Sequence, residues 1–290
     1  MQRRGLPRGR LLLLSFFFAG CVSAELSLFI EGEEQLKNAQ YAEAYETFTR
    51  YLSLYRATVP VYYDRAQAAK ALGRTSDALQ DLARVIKENP GDADARWIRY
   101  RLLSDHQKVL QNAYATTDPV LRPMVQGLLT TETLLMLDDL AKLLGSDRFD
   151  IEARSERASL LWSLGALPEA RADLDTILLQ SPDDVWALNA RGMLLHRLGE
   201  YAAAVADYDD ALDECDSCTY IVYNRALSLM AGGRLHEAAK AFRAFLAADS
   251  LDGEAWLMLA QCNIDLGRSD EACAALRKSM DLGQPEARER

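Results

Sequence analysis

Five cysteines and three histidines are the residues of this chain whose types could support redox, metal or acid–base chemistry. Cys215 and Cys218 form a CxxC pair, which could cycle through a disulfide or supply half of a tetrahedral metal site. No second CxxC and no histidine lies near it in sequence, so such a metal site would be incomplete. The βαβ context that a thioredoxin-like pair requires is also missing. The pair therefore reads as structural, with thiol redox chemistry as the distant alternative. His106, His196 and His236 are widely separated, and none has a second ligand three or four residues away. There is no glycine-rich phosphate loop and no nucleophile elbow. Carboxylates are numerous, but acids on helices form solvated faces unless a pocket fixes them as an acid–base pair. The expectation is a non-catalytic chain with no cofactor and no metal.

Charge narrows the partners. The formal net charge is −10, and losing the four arginines of the first ten residues takes it to −14. Nucleic acid requires a basic face, and anionic lipid attracts basic segments, so neither is an expected partner.

The elements that must position any site are set by a period. Segments starting at Ile151, Val185, Thr219 and Gly253 follow one another every 34 residues. Glycine stands at place fifteen of each: Gly165, Gly199, Gly233 and Gly267. Alanine stands at place twenty: Ala170, Ala204, Ala238 and Ala272. A large residue stands at place twenty-four: Leu174, Tyr208, Phe242 and Leu276. Apolar residues before each glycine recur at helical spacing, and the glycine can take the left-handed conformation that ends a helix. The small residue at place twenty lets a second helix approach the first. One such hairpin cannot bury its apolar face alone, so it stacks on its neighbours.

The pattern resembles the tetratricopeptide repeat family: Trp256, Leu259, Ala260, Ala272 and Leu276 occupy its signature places in the last segment, and only Asn263 departs from it. The resemblance implies an all-α fold, a right-handed superhelical solenoid of antiparallel helix pairs. Counting back by the period, Glu25–Thr58 and Val59–Asp92 form two further units. Residues 93–150 hold a truncated unit from Ala93 and a degenerate one, Thr117–Asp150, in which Pro119 and Pro123 break the first helix. The array thus divides into 25–92, 93–150 and four units over 151–284, followed by a short tail, 285–290.

Arginine recurs at place seven and aspartate at place twenty-three, which allows pairing within a repeat or between neighbours. Pairing between repeats accounts for more residues: Asp81–Arg99, Asp139–Arg157, Asp173–Arg191 and Asp207–Arg225. Cys262 and Cys273 fall on facing helices of one hairpin, so local disulfides Cys215–Cys218 and Cys262–Cys273 are expected in an oxidising compartment.

The resemblance also implies a concave groove lined by the first helices. Its inward places hold Trp162, Trp186, Asn189, Met193, Tyr220, Tyr223, Leu227 and Met230, which is unusually apolar for solvated positions. The competing reading is that these side chains belong to the core. Tyr63, Gln67, Asn189 and Met193 occupy places where family members that clamp acidic tails use Lys and Asn, so that clamp is not expected.

Residues 1–20 read as a secretory leader: Arg3, Arg4, Arg8 and Arg10 precede an apolar run from Leu11 to Gly20, too short to span a bilayer. Phe18-Ala19-Gly20-Cys21 resembles a bacterial lipobox, with Cys21 as the lipid attachment site. Cleavage after Val22-Ser23-Ala24 is the rival. A lipid anchor would hold the chain at a membrane without spanning it. The leading expectation is a scaffold in the bacterial envelope that binds another protein or peptide. The alternative is a soluble secretory-pathway or lumenal chaperone-like binder of unfolded polypeptide, since the texture of Asp64–Ile86 resembles repeats of co-chaperones.

Overall fold

The computed structural model describes residues 23–284, with residue 216 excepted. Those residues form fourteen helices and no strand. They run as α1 (Ala24–Lys37), α2 (Tyr41–Leu54), α3 (Val59–Ala71), α4 (Thr75–Glu88), α5 (Ala93–Thr116), α6 (Arg122–Ser146) and α7 (Ile151–Ser163). They continue as α8 (Leu167–Gln180), α9 (Val185–Arg197), α10 (Tyr201–Glu214), α11 (Thr219–Ala231), α12 (Leu235–Ala248), α13 (Gly253–Asp265) and α14 (Ser269–Asp281). The all-α array of antiparallel helix pairs implied by the 34-residue period is what the chain adopts.

The punctuation is local chemistry. Gly73, Gly165, Gly199, Gly233 and Gly267 all have φ between 70° and 80°, the left-handed region in which a Cβ is costly. Ala39 holds the same place in the first pair and takes φ 58° without glycine's freedom. Aspartates cap several first helices: Asp92, Asp150, Asp184 and Asp252 each accept a hydrogen bond from the backbone N–H three residues on. Within a pair, place eight of the first helix meets place twenty-four of the second. A Cβ on Gly192 would stand 2.6 Å from the Tyr208 ring, and one on Gly32 2.6 Å from Phe48, so in these two pairs the ring needs glycine opposite.

The chain divides into two compact units, residues up to 132 and residues from 133 onward. In the first, Phe48, Val61, Ala66, Leu82 and Val85 are fully buried. In the second, one cluster gathers Leu174, Ile177, Leu194 and Tyr208, and another Leu229, Phe242, Phe245 and Leu259.

The stretch 93–150 differs from the truncated and degenerate units expected of it. α5 and α6 are 24 and 25 residues long, against 13 or 14 for the other helices. Pro119 lies in the connection, and Pro123 in the first turn of α6, where a missing N–H leaves no bond unmade, so neither breaks a helix. In the first unit Gln107 Nε2 donates to the Leu129 carbonyl at 3.2 Å, and His106 Nδ1 lies 2.6 Å from Glu132 Oε1. Each is nearly twice as long as any other helix among the described residues.

Candidate functional site

The first helices are held in register by arginine–aspartate pairs, and these correct the expected pairing. Arg157 places Nε and Nη2 on Asp173 of its own repeat at 2.8 and 2.6 Å. Arg65 grips Asp81 and Arg191 grips Asp207 in the same two-pronged way. Asp81, Asp173 and Asp207 are therefore taken up within their own hairpins, not by Arg99, Arg191 and Arg225, and Arg157 goes to Asp173, not to Asp139. The reason is geometric: Arg157 stands eight residues before Gly165 and Asp173 eight after it, so antiparallel helices bring them level. The link across a junction comes from place twenty-five instead. Arg191 Nη1 reaches Asp175 of the preceding repeat at 2.8 Å, and Arg225 reaches Asp209. Its hydrogen bonds to Asp207, then to Asp175, outweigh burial and raise the pKa of Arg191 above its ordinary value.

The groove residues do not form one strip. Trp162, Trp186, Asn189 and Met193 converge, with Ala158, Ala170, Leu174, Ala190 and Leu194, around a recess of about 190 Å³ between α7, α8 and α9. Trp186 and Met193 are 42% and 39% exposed, which is high for side chains of their size. The Arg197 guanidinium lies 5.2 Å from the centre of the Trp162 ring and props that wall. Asn189 Oδ1 accepts from Asn224 Nδ2 at 3.1 Å, tying α9 to α11. Its own Nδ2 has only the Met193 sulfur, at 3.7 Å, so it can serve a carbonyl in the recess. Beside the recess, sharing Ser159 and Trp186 with it, a wider cleft of about 350 Å³ is lined by Glu152, Ser155, Glu156 and Asp184.

Tyr223, Leu227 and Met230 lie differently. All three are half-buried against the cluster of α12 and α13. The Tyr223 ring stands 5.8 Å from Phe242 and 5.2 Å from Phe245, and burial, then the charges of Glu254 and Asp252, push its phenol up to about 12. They pack on the core along one side, as Trp162 does on its own cluster. Tyr220, 52% exposed in the first turn of α11, remains on the surface.

Cys215 and Cys218 are joined in a disulfide across the turn between α10 and α11. Cys262 and Cys273 are both free, which corrects the second expected bridge. The cause is helix phase: Cys262 faces the core, where burial pushes its thiol up to about 11, and Cys273 faces solvent. Among the described residues no group of three or more His, Cys, Asp or Glu could hold a metal. No helix among them is long and apolar enough to cross a membrane. Cys21 lies outside the described residues. His196 is half-buried, its Nδ1 2.8 Å from the fully buried Ser228 hydroxyl, and burial lowers its pKa. On α3, burial, then the nearby Glu33, pushes the Asp64 carboxyl up to about 7.

Sequence reasoning passed over Arg154, which adds a third bond to Asp173 at 2.9 Å, and the acids at place twenty-five. The signals that could have found them are the three-residue spacing of Arg154 and Arg157, which puts both on one helix face, and the recurrence of aspartate at 175 and 209.

The family model described as tetratricopeptide repeat matches residues 63–102, 155–217 and 223–287. Among solved structures, the C-terminal part of a TPR repeat-containing protein from Cytophaga hutchinsonii is similar at a TM-score of 0.65 and 16% identity, covering 90% of this chain and 98% of that one. A tetratricopeptide repeat protein from Parabacteroides merdae has a TM-score of 0.52 at 14% identity, covering 91% and 96%. YrrB, a TPR protein with an unusual peptide-binding site, has a TM-score of 0.54 at 18% identity, covering 70% and 92%.

Proposed function

The chain belongs to the tetratricopeptide repeat family, and from that premise we propose that it is a non-catalytic scaffold that holds a partner polypeptide in the recess of α7, α8 and α9. A protein-interaction role is what the family membership supports. The peptide groove is the finer reading, and one observation carries it: Trp162, Trp186 and Met193 meet around an open apolar recess, with the Asn189 amide among them. Large apolar side chains held by their neighbours offer contact area at low entropic cost. Apart from the Met193 sulfur the amide is a donor pair without a protein oxygen, and a peptide carbonyl supplies one. YrrB, whose description names a peptide-binding site, lends the reading support by analogy.

The proposed setting is the bacterial envelope, with the chain tethered through a lipid on Cys21. The support is the leader sequence alone: four arginines, a ten-residue apolar run and the lipobox-like Phe18-Ala19-Gly20-Cys21. Metabolic labelling with a fatty acid should mark the wild type and not Cys21→Ser, and equal labelling would remove the tether. For the groove, partner capture from envelope extract should weaken by at least about 1–2 kcal/mol in Trp186→Ala with the melting point nearly unchanged. A sharp fall in melting point with capture intact would remove the groove.

A further inference from the structure

The Cys215–Cys218 disulfide takes no part in the recess, and it closes a turn that other repeats close without one. Cys215 stands at place thirty-one of its repeat and Cys218 at place thirty-four. There the Cys218 N–H donates to the Cys215 carbonyl at 3.3 Å. The same bond joins Asp92 to Asn89 at 3.1 Å, Asp150 to Asp147 at 3.1 Å and Asp184 to Ser181 at 3.2 Å, and no cysteine stands in any of those turns. The repeat thus builds this turn with its backbone. A disulfide at a sequence separation of 3 closes so small a loop that it constrains the unfolded chain little, which makes it a poor staple. The two sulfurs also sit at opposite helix ends. Cys215 is the C-cap residue of α10, whose last turn carries Asp213 and Glu214 and no base. Cys218 is the N-cap residue of α11, the place from which Asp92, Asp150, Asp184 and Asp252 each put a carboxylate on a first turn. A helix start favours an anion and a helix end disfavours one, so an opened pair holds its thiolate on Cys218 and its thiol on Cys215. Both cysteines are half-buried beside the exposed Ser217, within reach of a thiol from solvent.

We infer that this pair is a thiol-exchange site, a redox switch at the joint between two repeats that is reduced by a dithiol and opens in one direction. The donor's thiolate attacks the Cys215 sulfur. A new S–S bond forms there, the Cys215–Cys218 bond breaks, and its electron pair leaves on Cys218. The better-stabilised thiolate is the better leaving group, and this selects Cys215 as the sulfur attacked. The donor's second thiol then loses its proton to solvent and attacks the donor sulfur of the mixed disulfide. Cys215 leaves and takes up a proton. The dithiol ends as a disulfide, and the pair ends as one thiol and one thiolate. Each state has its own way of finishing α11. In the closed form the covalent bond holds Cys218, whose side chain makes no cap bond. In the open form the Cys218 thiolate stands where other first helices carry an aspartate, as a weaker acceptor in the same place. The turn hydrogen bond is backbone alone and serves both. Nothing in this exchange requires the recess to bind a peptide.

The test uses the full chain, with every cysteine followed separately by peptide mapping. Dithiothreitol should open the bond in the folded chain, at temperatures where the helical signal does not change. In a brief exposure of the oxidised chain to labelled glutathione, stopped with acid, the label should lie on Cys215 at least about fivefold more often than on Cys218. In the reduced chain at about pH 7, iodoacetamide should modify Cys218 at least about threefold faster than Cys215. Cys215→Ser should keep the fast rate at Cys218, and Cys218→Ser should leave Cys215 slow, since each rate is set by a helix end and not by the other sulfur. In urea, which removes both helix ends, the two rates should converge. Opening only as the helical signal is lost would make the pair a structural staple and overturn the switch. Label mainly on Cys218, equal rates in the folded chain, or a rate difference that survives urea would each overturn the direction assigned to it.

Discussion

The hairpin α7–α8 and the hairpin α11–α12 have the same length and the same turn, yet one is open and the other filled. In α7–α8 the second helix offers Leu174 and Ile177, and the space above Leu174 stays as the recess between Trp162, Trp186 and Met193. In α11–α12 the equivalent places hold Phe242 and Phe245, and Tyr223, standing where α7 has Ser155, packs on both rings at 5.8 and 5.2 Å. The difference teaches that a repeat place does not by itself fix exposure. Whether a first-helix aromatic stays exposed depends on the second-helix residues it meets as well as on its own place.

The strongest way to break this contrast is to truncate both aromatics. Tyr223→Ala should cost about 2–4 kcal/mol, because it removes a ring packed on two others. Trp186→Ala should stay within about 0.5 kcal/mol of wild type, because its ring is open to solvent. Denaturant melts of the two variants measure this directly, and equal losses would erase the distinction. The arginine pairs give a second contrast. Asp173 is 2% exposed and holds both Arg154 and Arg157, so Asp173→Ala should cost about 1–3 kcal/mol. In α11–α12 the matching residue is Ala241, and Arg225 turns to Asp209, whose side chain is 50% exposed; Asp209→Ala should cost less than about 1 kcal/mol. A double-mutant cycle should couple Asp173 to Arg157, not to Arg191.

A third variant converts one hairpin toward the other. Leu174→Phe places a ring where Phe242 lies, and Ala158 opposite it corresponds to Ala226 opposite Phe242, so the substitution needs no glycine. Overpacking should hold its effect on stability to about 1 kcal/mol, while peptide affinity should fall about tenfold, or about 1.4 kcal/mol, as the recess closes. Partner capture from envelope extract reads it, and unchanged capture would place the partner elsewhere.

The fold was legible because it is periodic. Gly73, Gly165, Gly199, Gly233 and Gly267 each do one local job, the left-handed turn, and a job repeated every 34 residues shows in composition alone. Pro119 and Pro123 misled because the harm a proline does depends on its place in a helix, and Pro123 falls in a first turn. The arginine pairs were legible in type and wrong in partner. Counting matched residues favoured the neighbour, but helices running antiparallel favour residues equidistant from the turn, as Arg157 and Asp173 are from Gly165. Of the site, Trp162, Trp186, Asn189 and Met193 could be named in advance, because they share one face of successive first helices. That Tyr223 would pack on Phe242 and Phe245 could not be read from its own helix, since the cause sits in the second one. Cys273 points away from Cys262 for a similar reason: the phase of the second helix, not the spacing along the chain, sets which side chains meet.

The two hairpins also start differently, and this gives the smallest effect. α9 is capped by Asp184, which accepts from the Ala187 N–H at 2.9 Å, as Asp150 and Asp252 do for α7 and α13. α11 starts at Cys218, whose side chain makes no such bond, and the disulfide to Cys215, with Cα atoms 5.6 Å apart, braces the turn instead. A loop this short constrains the unfolded chain little, so opening it should cost at most about 2 kcal/mol. Cys215→Ser should therefore lower the melting point modestly and make it insensitive to reductant. Adding Cys218→Asp to that variant supplies the cap that α9 has, and should return about 1 kcal/mol. If the double variant melts no higher than Cys215→Ser, the turn before α11 does not present its N–H groups as the turn before α9 does. The disulfide would then hold a different backbone, not stand in for a missing aspartate.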